Sequence, residues 1–114
     1  MEEIEIIYQN NIGISFYWKD HTDKSKIQVI LKDVGFLLDA SELFLFSSQC
    51  QQSLSSSKCG NCHNPNCKSY LLKTPSSKID LAVSKNELKE IEALLHQTVE
   101  KISLKKLTNT FHLN

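Results

Sequence analysis

Side chains that bind metals are concentrated in the middle of the chain, in the segment KCGNCHNPNCK at residues 58–68. Cys59 and Cys62 are separated by two residues, and Cys67 follows after four more. Glycine, asparagine and proline lie between them, and these residues favour tight turns that bring thiolates to one point. Thiolates at this spacing are typical zinc ligands. The segment therefore predicts a zinc knuckle.

Tetrahedral zinc needs a fourth donor, and the sequence leaves its identity open. Cys50, nine residues before Cys59, is the first candidate. It also lies on the apolar face of a predicted helix, where free cysteine is often a small core side chain. His63 is the alternative, although the side chain next to Cys62 tends to point away from it. The remaining histidines are weaker candidates: His21, His96 and His112.

Other cysteine chemistry fits the segment less well. A redox Cys-x-x-Cys motif starts a helix after a strand, whereas Cys59 and Cys62 precede a predicted strand. The string Cys59-x-x-Cys62-His63 matches a c-type haem attachment site, but Cys67 is extra to that motif. The spacings differ from those of ferredoxin clusters. Disulfides remain an alternative, although they are rare in cytosolic proteins. Zinc is accordingly the predicted cofactor.

Composition limits the class of protein and its compartment. The chain has 114 residues and zero formal net charge, which predicts one domain and no strong field for nucleic acid or acidic lipid. Residues 1–5 lack the basic and apolar regions of a signal peptide. No apolar run reaches the roughly 18 residues of a membrane span. The sequence predicts a cytoplasmic protein without a membrane partner.

Alternating apolar residues predict six strands. A hairpin is expected at the N-terminus, with Ile14, Phe16 and Trp18 on one face of its second strand. Further strands are expected at residues 27–31, 36–38, 69–73 and 79–83, and residues 108–114 are expected to be an edge strand or a frayed end.

Two helices are predicted from capping boxes and apolar stripes. Asp39 with Glu42, and Ser84 with Glu87, have the spacing of reciprocal helix caps. The core-facing stripes are Leu43, Phe46, Cys50 and Leu54 in the first helix and Leu88, Ile91, Leu95, Thr98 or Val99, and Ile102 in the second. Phe44 and Leu45 widen the first stripe, which suggests that other parts of the protein cover this helix on more than one side.

The two strand-to-helix segments align with each other. The sequences of residues 36–46 and 81–91 align without a gap. In this alignment the helix caps, the capping-box partners and the predicted core positions coincide. The predicted fold is α+β, an antiparallel sheet of about six strands with two helices, in which pseudo-duplicated ββα units are joined by the zinc-knuckle loop. Its single domain, 1–114, comprises a first half with an extra N-terminal hairpin (1–57), a Cys-rich connector (58–68) and a second half (69–114).

The runs FLLDASELFLF and SYLLKTPSSKIDLAVSKNEL, with the Cys-x-x-Cys connector between them, resemble a family of small uncharacterised bacterial proteins that share a domain of unknown function. The resemblance extends from residue 6 to about residue 107. Cys59, Cys62 and Cys67 match the connector cysteines of that family, whereas Cys50 has no clear counterpart. The resemblance implies no established activity and no catalytic residues.

These features favour a small binding or interaction module with a structural zinc site, whose partner is another protein or a second copy of the chain. A nucleic-acid-binding zinc knuckle is the first alternative, because residues 58–78 carry four lysines and no acidic residue: Lys58, Lys68, Lys73 and Lys78. The absence of arginine argues against it. A metalloenzyme with an open zinc position is the second alternative, although no other catalytic motif is visible.

Overall fold

The computed structural model describes residues 3–19, 26–55 and 70–111, with side chains described as far as residue 104. The connector at 58–68 lies outside the described residues. The elements in chain order are β1 (Ile4–Gln9), β2 (Gly13–Trp18), β3 (Ile27–Leu31), β4 (Val34–Leu38), α1 (Ala40–Ser55), β5 (Tyr70–Lys73), β6 (Asp80–Val83) and α2 (Lys85–Phe111).

The strands form two antiparallel sheets. One is a four-stranded meander in the order β1-β2-β3-β4, and the other is the hairpin β5-β6. The α+β class, the two helices and the six strands are confirmed. The prediction of one continuous sheet is wrong, because within the described chain neither β5 nor β6 forms a strand ladder with β4.

Both helices begin at the predicted capping boxes. The amide of Glu42 donates to Asp39 Oδ1 at 2.9 Å, and the amide of Asp39 donates to Glu42 Oε1 at 3.0 Å. Ser84 and Glu87 exchange the equivalent hydrogen bonds at 3.1 and 2.9 Å. Each box satisfies amides that the first helical turn leaves without an intrahelical acceptor. The chain therefore enters α1 and α2 with the same local geometry.

The core lies between the helices, one face of the four-stranded sheet and the β5-β6 hairpin, which contributes Leu72 and Val83. α1 and α2 pack against each other, α2 covers β1 and β2, and α1 covers β4. The rings of Phe36 and Phe46 meet edge to face, with centroids 5.4 Å apart, where β4 packs under α1. The predicted helix stripes are buried in this cluster apart from Leu54, which is partly buried at its edge: Leu43, Phe46, Cys50, Leu88, Ile91, Leu95 and Ile102.

Two expectations about the helices are wrong. Phe44 and Leu45 are 52% and 56% exposed, so α1 is covered on one side and not on several. α2 continues to Phe111, where an edge strand or a frayed end was expected. Residues 103–111 contain no glycine or proline to stop the helix, which explains its length.

The two-residue turn between β3 and β4 is tied to the start of α2. Lys32 has a φ of 55°, in the left-handed region that residues other than glycine seldom adopt. Its ammonium group forms an ion pair with the carboxylate of Glu87, the capping-box residue of α2. This contact holds the turn of the sheet against the first turn of the helix.

Candidate functional site

The predicted metal ligands are divided between described and undescribed parts of the chain. Cys50 and His96 are described. The other candidates lie outside the described residues: Cys59, Cys62, Cys67, His63, His21 and His112. Within the described ranges, no three His, Cys, Asp or Glu side chains converge on one point. The zinc ligand set therefore stays a prediction.

Cys50 is enclosed in the protein core. It lies in α1 on the same face as Leu43 and Phe46, and none of its surface is exposed. Burial, with the nearby charge of Glu92, raises the pKa of the Cys50 thiol to about 12. Its counterpart in the aligned segment, Leu95, is equally buried. This setting supports the interpretation of Cys50 as a small core side chain, which the sequence left open beside the ligand role.

His96 lies on the surface of α2. Its Nε2 atom is 3.1 Å from Glu100 Oε1, one helical turn further along, and both side chains are about half exposed. A single i,i+4 contact of this kind is common on exposed helix faces. Among the described residues, no third potential metal ligand joins His96 and Glu100.

The lysine-rich segment is partly described. Lys73 and Lys78 are exposed, and Lys58 and Lys68 lie outside the described residues. Lys73 is directly opposite Asp80 in the β5-β6 ladder, on the same face of that hairpin. The positive charge on β5 therefore faces a carboxylate on β6, a neighbour that lies just beyond the acid-free segment 58–78.

The strand register divides the four-stranded sheet into two faces. Tyr8, Ser15, Val29 and Phe36 form one row across all four strands, and Ser15 contacts Thr98 of α2. This row belongs to the inner face, which packs on the helices. The adjacent row belongs to the opposite face, called here the outer face: Ile6, Phe16, Gln28 and Leu37.

The outer face is apolar and carries no charge at its described positions. Because side chains alternate along a strand, the residues beside the Ile6–Leu37 row also project from this face. Ile6 and Leu37, at the two ends of the row, are 54% and 47% exposed. The complete set has two uncharged polar members, Gln9 and Gln28, and is otherwise apolar or glycine: Ile4, Ile6, Gln9, Ile14, Phe16, Trp18, Gln28, Ile30, Gly35 and Leu37. The predicted apolar face of β2 is part of this surface.

The polar groups at the centre of the outer face are already hydrogen-bonded. Trp18 Nε1 donates to Gln28 Oε1 at 3.0 Å, and Gln28 Nε2 donates to the carbonyl of Phe36 at 3.1 Å. The Trp18 ring meets Phe16 edge to face, with centroids 4.9 Å apart, and Phe16 is 3% exposed. The outer face consequently presents Trp18 packed on a buried Phe16, beside a glutamine whose oxygen and nitrogen are both hydrogen-bonded within the chain.

A shallow cavity of about 240 Å³ lies where α2 crosses β1. It adjoins the β-bulge between Ile6 and Tyr8, and Lys101 is 5.4 Å above the centre of the Tyr8 ring. Its lining combines aliphatic and polar side chains: Glu5, Ile6, Ile7, Tyr17, Lys101 and Ile102. Sequence patterns did not predict this cavity, since a bulge leaves no signal in the alternation of apolar residues.

No helix in the described ranges combines the length and the apolar character that a bilayer span requires. Comparison with known proteins finds no matching family model, no matching curated protein and no matching solved structure. The resemblance to a family of uncharacterised bacterial proteins therefore stays a prediction.

Proposed function

We propose that this protein is a small interaction module that binds a protein partner through the outer face of its four-stranded sheet and contains a structural zinc site in its connector. The observation that carries the binding role is the uncharged outer face, whose end residues Ile6 and Leu37 are about half exposed. Contiguous exposed apolar surface on a folded domain is typical of interaction sites.

The composition of the connector supports the zinc proposal. α1 ends at Ser55 and β5 begins at Tyr70, and both elements contribute to the core. Between them, residues 56–69 contain no Val, Leu, Ile, Met, Phe, Tyr or Trp. Such a segment cannot gain order by burying apolar surface, whereas metal binding by Cys59, Cys62 and Cys67 supplies folding free energy directly.

The proposed arrangement places the connector between two related ββα units. β3, β4 and α1 form one unit, and β5, β6 and α2 form the other. Their capping boxes have the same hydrogen bonds, and the aligned pairs Leu43/Leu88 and Cys50/Leu95 are buried. These similarities support an internal duplication, with the zinc-bound connector as its link.

Metal analysis of the purified protein tests the zinc site. We expect one zinc per chain, lost in Cys62→Ser and released when thiol-modifying reagents react with the connector cysteines. Protein that folds fully without any bound metal, and whose connector thiols are all reactive, would overturn the zinc proposal.

Two further variants identify the fourth ligand. His63→Gln should lower the zinc content if the imidazole completes the site, and Cys50→Val should lower it if the α1 thiol does. Because valine is also a small apolar side chain, Cys50→Val preserves the packing of the core while it removes the sulfur. Full zinc content in both variants would leave the weaker candidates His21, His96 and His112, or a site with three protein ligands.

A further inference from the structure

We propose that the partner of the outer face is a second copy of this chain, so that two four-stranded sheets pack face to face in a symmetric dimer. This inference rests on the proposed binding role and is independent of zinc. It follows from the apolar character of both sheet faces, from the neutrality of the outer face and from the dimensions of the sheet.

Both faces of this sheet have the composition of buried surface. A sheet with one solvated face normally alternates apolar and polar residues, whereas strands covered on both faces are apolar almost throughout. β3 has Ile27, Val29 and Leu31 on the inner face and Ile30 on the outer face, and β4 places Phe36 inside and Leu37 outside. The helices cover only the inner face. The outer face therefore has the composition of a surface that is buried in an assembly.

Neutrality favours a second copy over a charged partner. In a two-fold symmetric contact the same patch supplies both sides, so any uncompensated charge would face its own copy. The described outer-face positions have no charged side chain, and the bonds of Gln28 to Trp18 and to the Phe36 carbonyl are made within one chain. Two such faces can meet without like-charge repulsion and without leaving these groups unpaired.

Charged pairs lie at the ends of the strands, beyond the apolar centre. Glu3 and Lys19 are 3.8 Å apart, and Lys26 and Asp39 are 4.0 Å apart. An apolar centre with aromatic side chains and a polar rim is the usual anatomy of a protein interface. Trp18 and Phe16 provide such a centre here.

The size of the face fits a reversible contact between sheets. Four strands of five or six residues make a face of roughly 15 by 20 Å. Face-to-face sheets pack about 10 Å apart with strands inclined by about 30°, which is the arrangement proposed for the two outer faces. Two such faces amount to roughly 600 Å², which is below the area of stable specific interfaces and fits only a weak, transient contact. We therefore expect dimers at micromolar or higher concentration, in exchange with monomers.

Sedimentation of the full chain tests the dimer. Lysine is introduced at exposed positions of the outer face and, as a control, at similarly exposed positions of α1. Ile6→Lys and Leu37→Lys alter the two ends of the outer-face row, at side chains that are 54% and 47% exposed. Phe44→Lys and Leu45→Lys alter side chains of similar exposure on α1, away from the sheet. The outer-face variants should raise the dimer dissociation constant roughly tenfold or more, and the α1 variants should leave it unchanged.

Trp18 provides a second measurement, because it is the only tryptophan in the chain and projects from the outer face. Its emission should shift to shorter wavelength, and its quenching by acrylamide should fall, as wild-type concentration rises through the dissociation constant. Circular dichroism of the lysine variants verifies that they are folded.

Several results would overturn the inference. A wild-type chain that is monomeric at all concentrations excludes the dimer. Dissociation by Leu37→Lys alone would indicate pairing of β4 edges, and dissociation by the α1 variants would indicate a helical interface. A monomer whose Trp18 emission shifts on addition of phosphatidylcholine vesicles would assign the face to a lipid surface.

The dimer and the zinc site are tested separately. A monomer that contains zinc excludes the dimer and leaves the zinc proposal intact. A dimer that contains no zinc overturns the zinc proposal and leaves the dimer intact.

Discussion

The hydroxyl oxygens of Ser15 and Thr98 lie 2.6 Å apart, although 83 positions separate the two residues in the sequence. Thr98 Oγ1 is also 2.6 Å from the carbonyl oxygen of Leu94, to which it donates. Since each hydroxyl has one hydrogen, Ser15 is the donor to Thr98. Both side chains are fully buried. This short chain of hydrogen bonds links β2 to α2 across the inner face of the sheet.

A double-mutant cycle should detect this contact. Thr98→Val leaves the buried Ser15 hydroxyl with only the Tyr8 carbonyl at 3.5 Å, so we expect a loss of about 1–3 kcal/mol in the free energy of unfolding. Ser15→Ala should cost less, because Thr98 keeps its bond to Leu94. The double variant should lose less than the sum of the singles. Denaturant unfolding gives all four values, and strict additivity would contradict the contact.

The Ser15–Thr98 contact marks the limit of prediction from the sequence. Alternation predicted that Ile14, Phe16 and Trp18 share a face, and they do. Their face is nevertheless the outer one, and α2 packs on the face of Ser15. Period-two patterns identify the two faces of a strand, but they cannot assign the covered face when both faces are apolar. The choice depends on tertiary packing, to which the Ser15–Thr98 contact belongs, and such packing has no local signal.

The helix starts and the buried side of α1 were predictable, because they depend on residues that are close in the sequence. The capping boxes at Asp39 and Ser84 set both helix starts, and the apolar stripe through Leu43 and Phe46 identified the buried side of α1. The division of six strands into two sheets was not predictable, because pairing between distant strands depends on packing. The connector cysteines, which define the candidate zinc site, lie outside the described residues.

The cap of α1 should make stability depend on pH at the acid end. The amide of Glu42, then the Ser41 hydroxyl, hold the pKa of the Asp39 carboxyl below its usual value of 3.8. A depressed carboxyl pKa contributes stability that is complete above the unfolded pKa and lost as pH falls through the folded pKa. The wild-type protein should therefore have a higher free energy of unfolding than Asp39→Asn above about pH 4, and this difference should disappear as the pH falls further.

Unfolding of both proteins between pH 2 and pH 7 measures this difference. Ser84→Ala is the matched control in α2, because it removes a cap that does not titrate. Its cost should be about 1 kcal/mol, and the serine hydroxyl that it removes does not titrate in this range. An advantage of wild type over Asp39→Asn that is constant down to pH 2 would show that the cap carboxylate has an ordinary pKa.

Gly13 should tolerate no side chain. A Cβ atom at this position would lie 1.9 Å from the carbonyl oxygen of Ile30, in the backbone of the neighbouring strand. Gly13→Ala must therefore separate β2 from β3, and we expect a loss of more than about 3 kcal/mol or failure to fold.

Gly35 is the matched comparison within the same sheet. A Cβ there would lie 3.2 Å from Gln28 Nε2, at the end of a flexible side chain. Gly35→Ala should consequently cost less than about 1 kcal/mol by thermal or denaturant unfolding. Equal losses in the two alanine variants would mean that β2 and β3 are not as close as the structure places them.

Cys50 should be the least reactive thiol of the chain. It is fully buried, and its pKa is raised to about 12, first by burial and then by the charge of Glu92, so almost no thiolate is present at pH 8. After treatment with a chelator, brief alkylation and peptide mapping should label Cys59, Cys62 and Cys67 well before Cys50. Cys50 should react at the rate at which the core opens, and denaturant should remove the difference between the four thiols. Rapid labelling of Cys50 in the folded protein would place this thiol at an accessible site, where the connector could reach it, and outside the core.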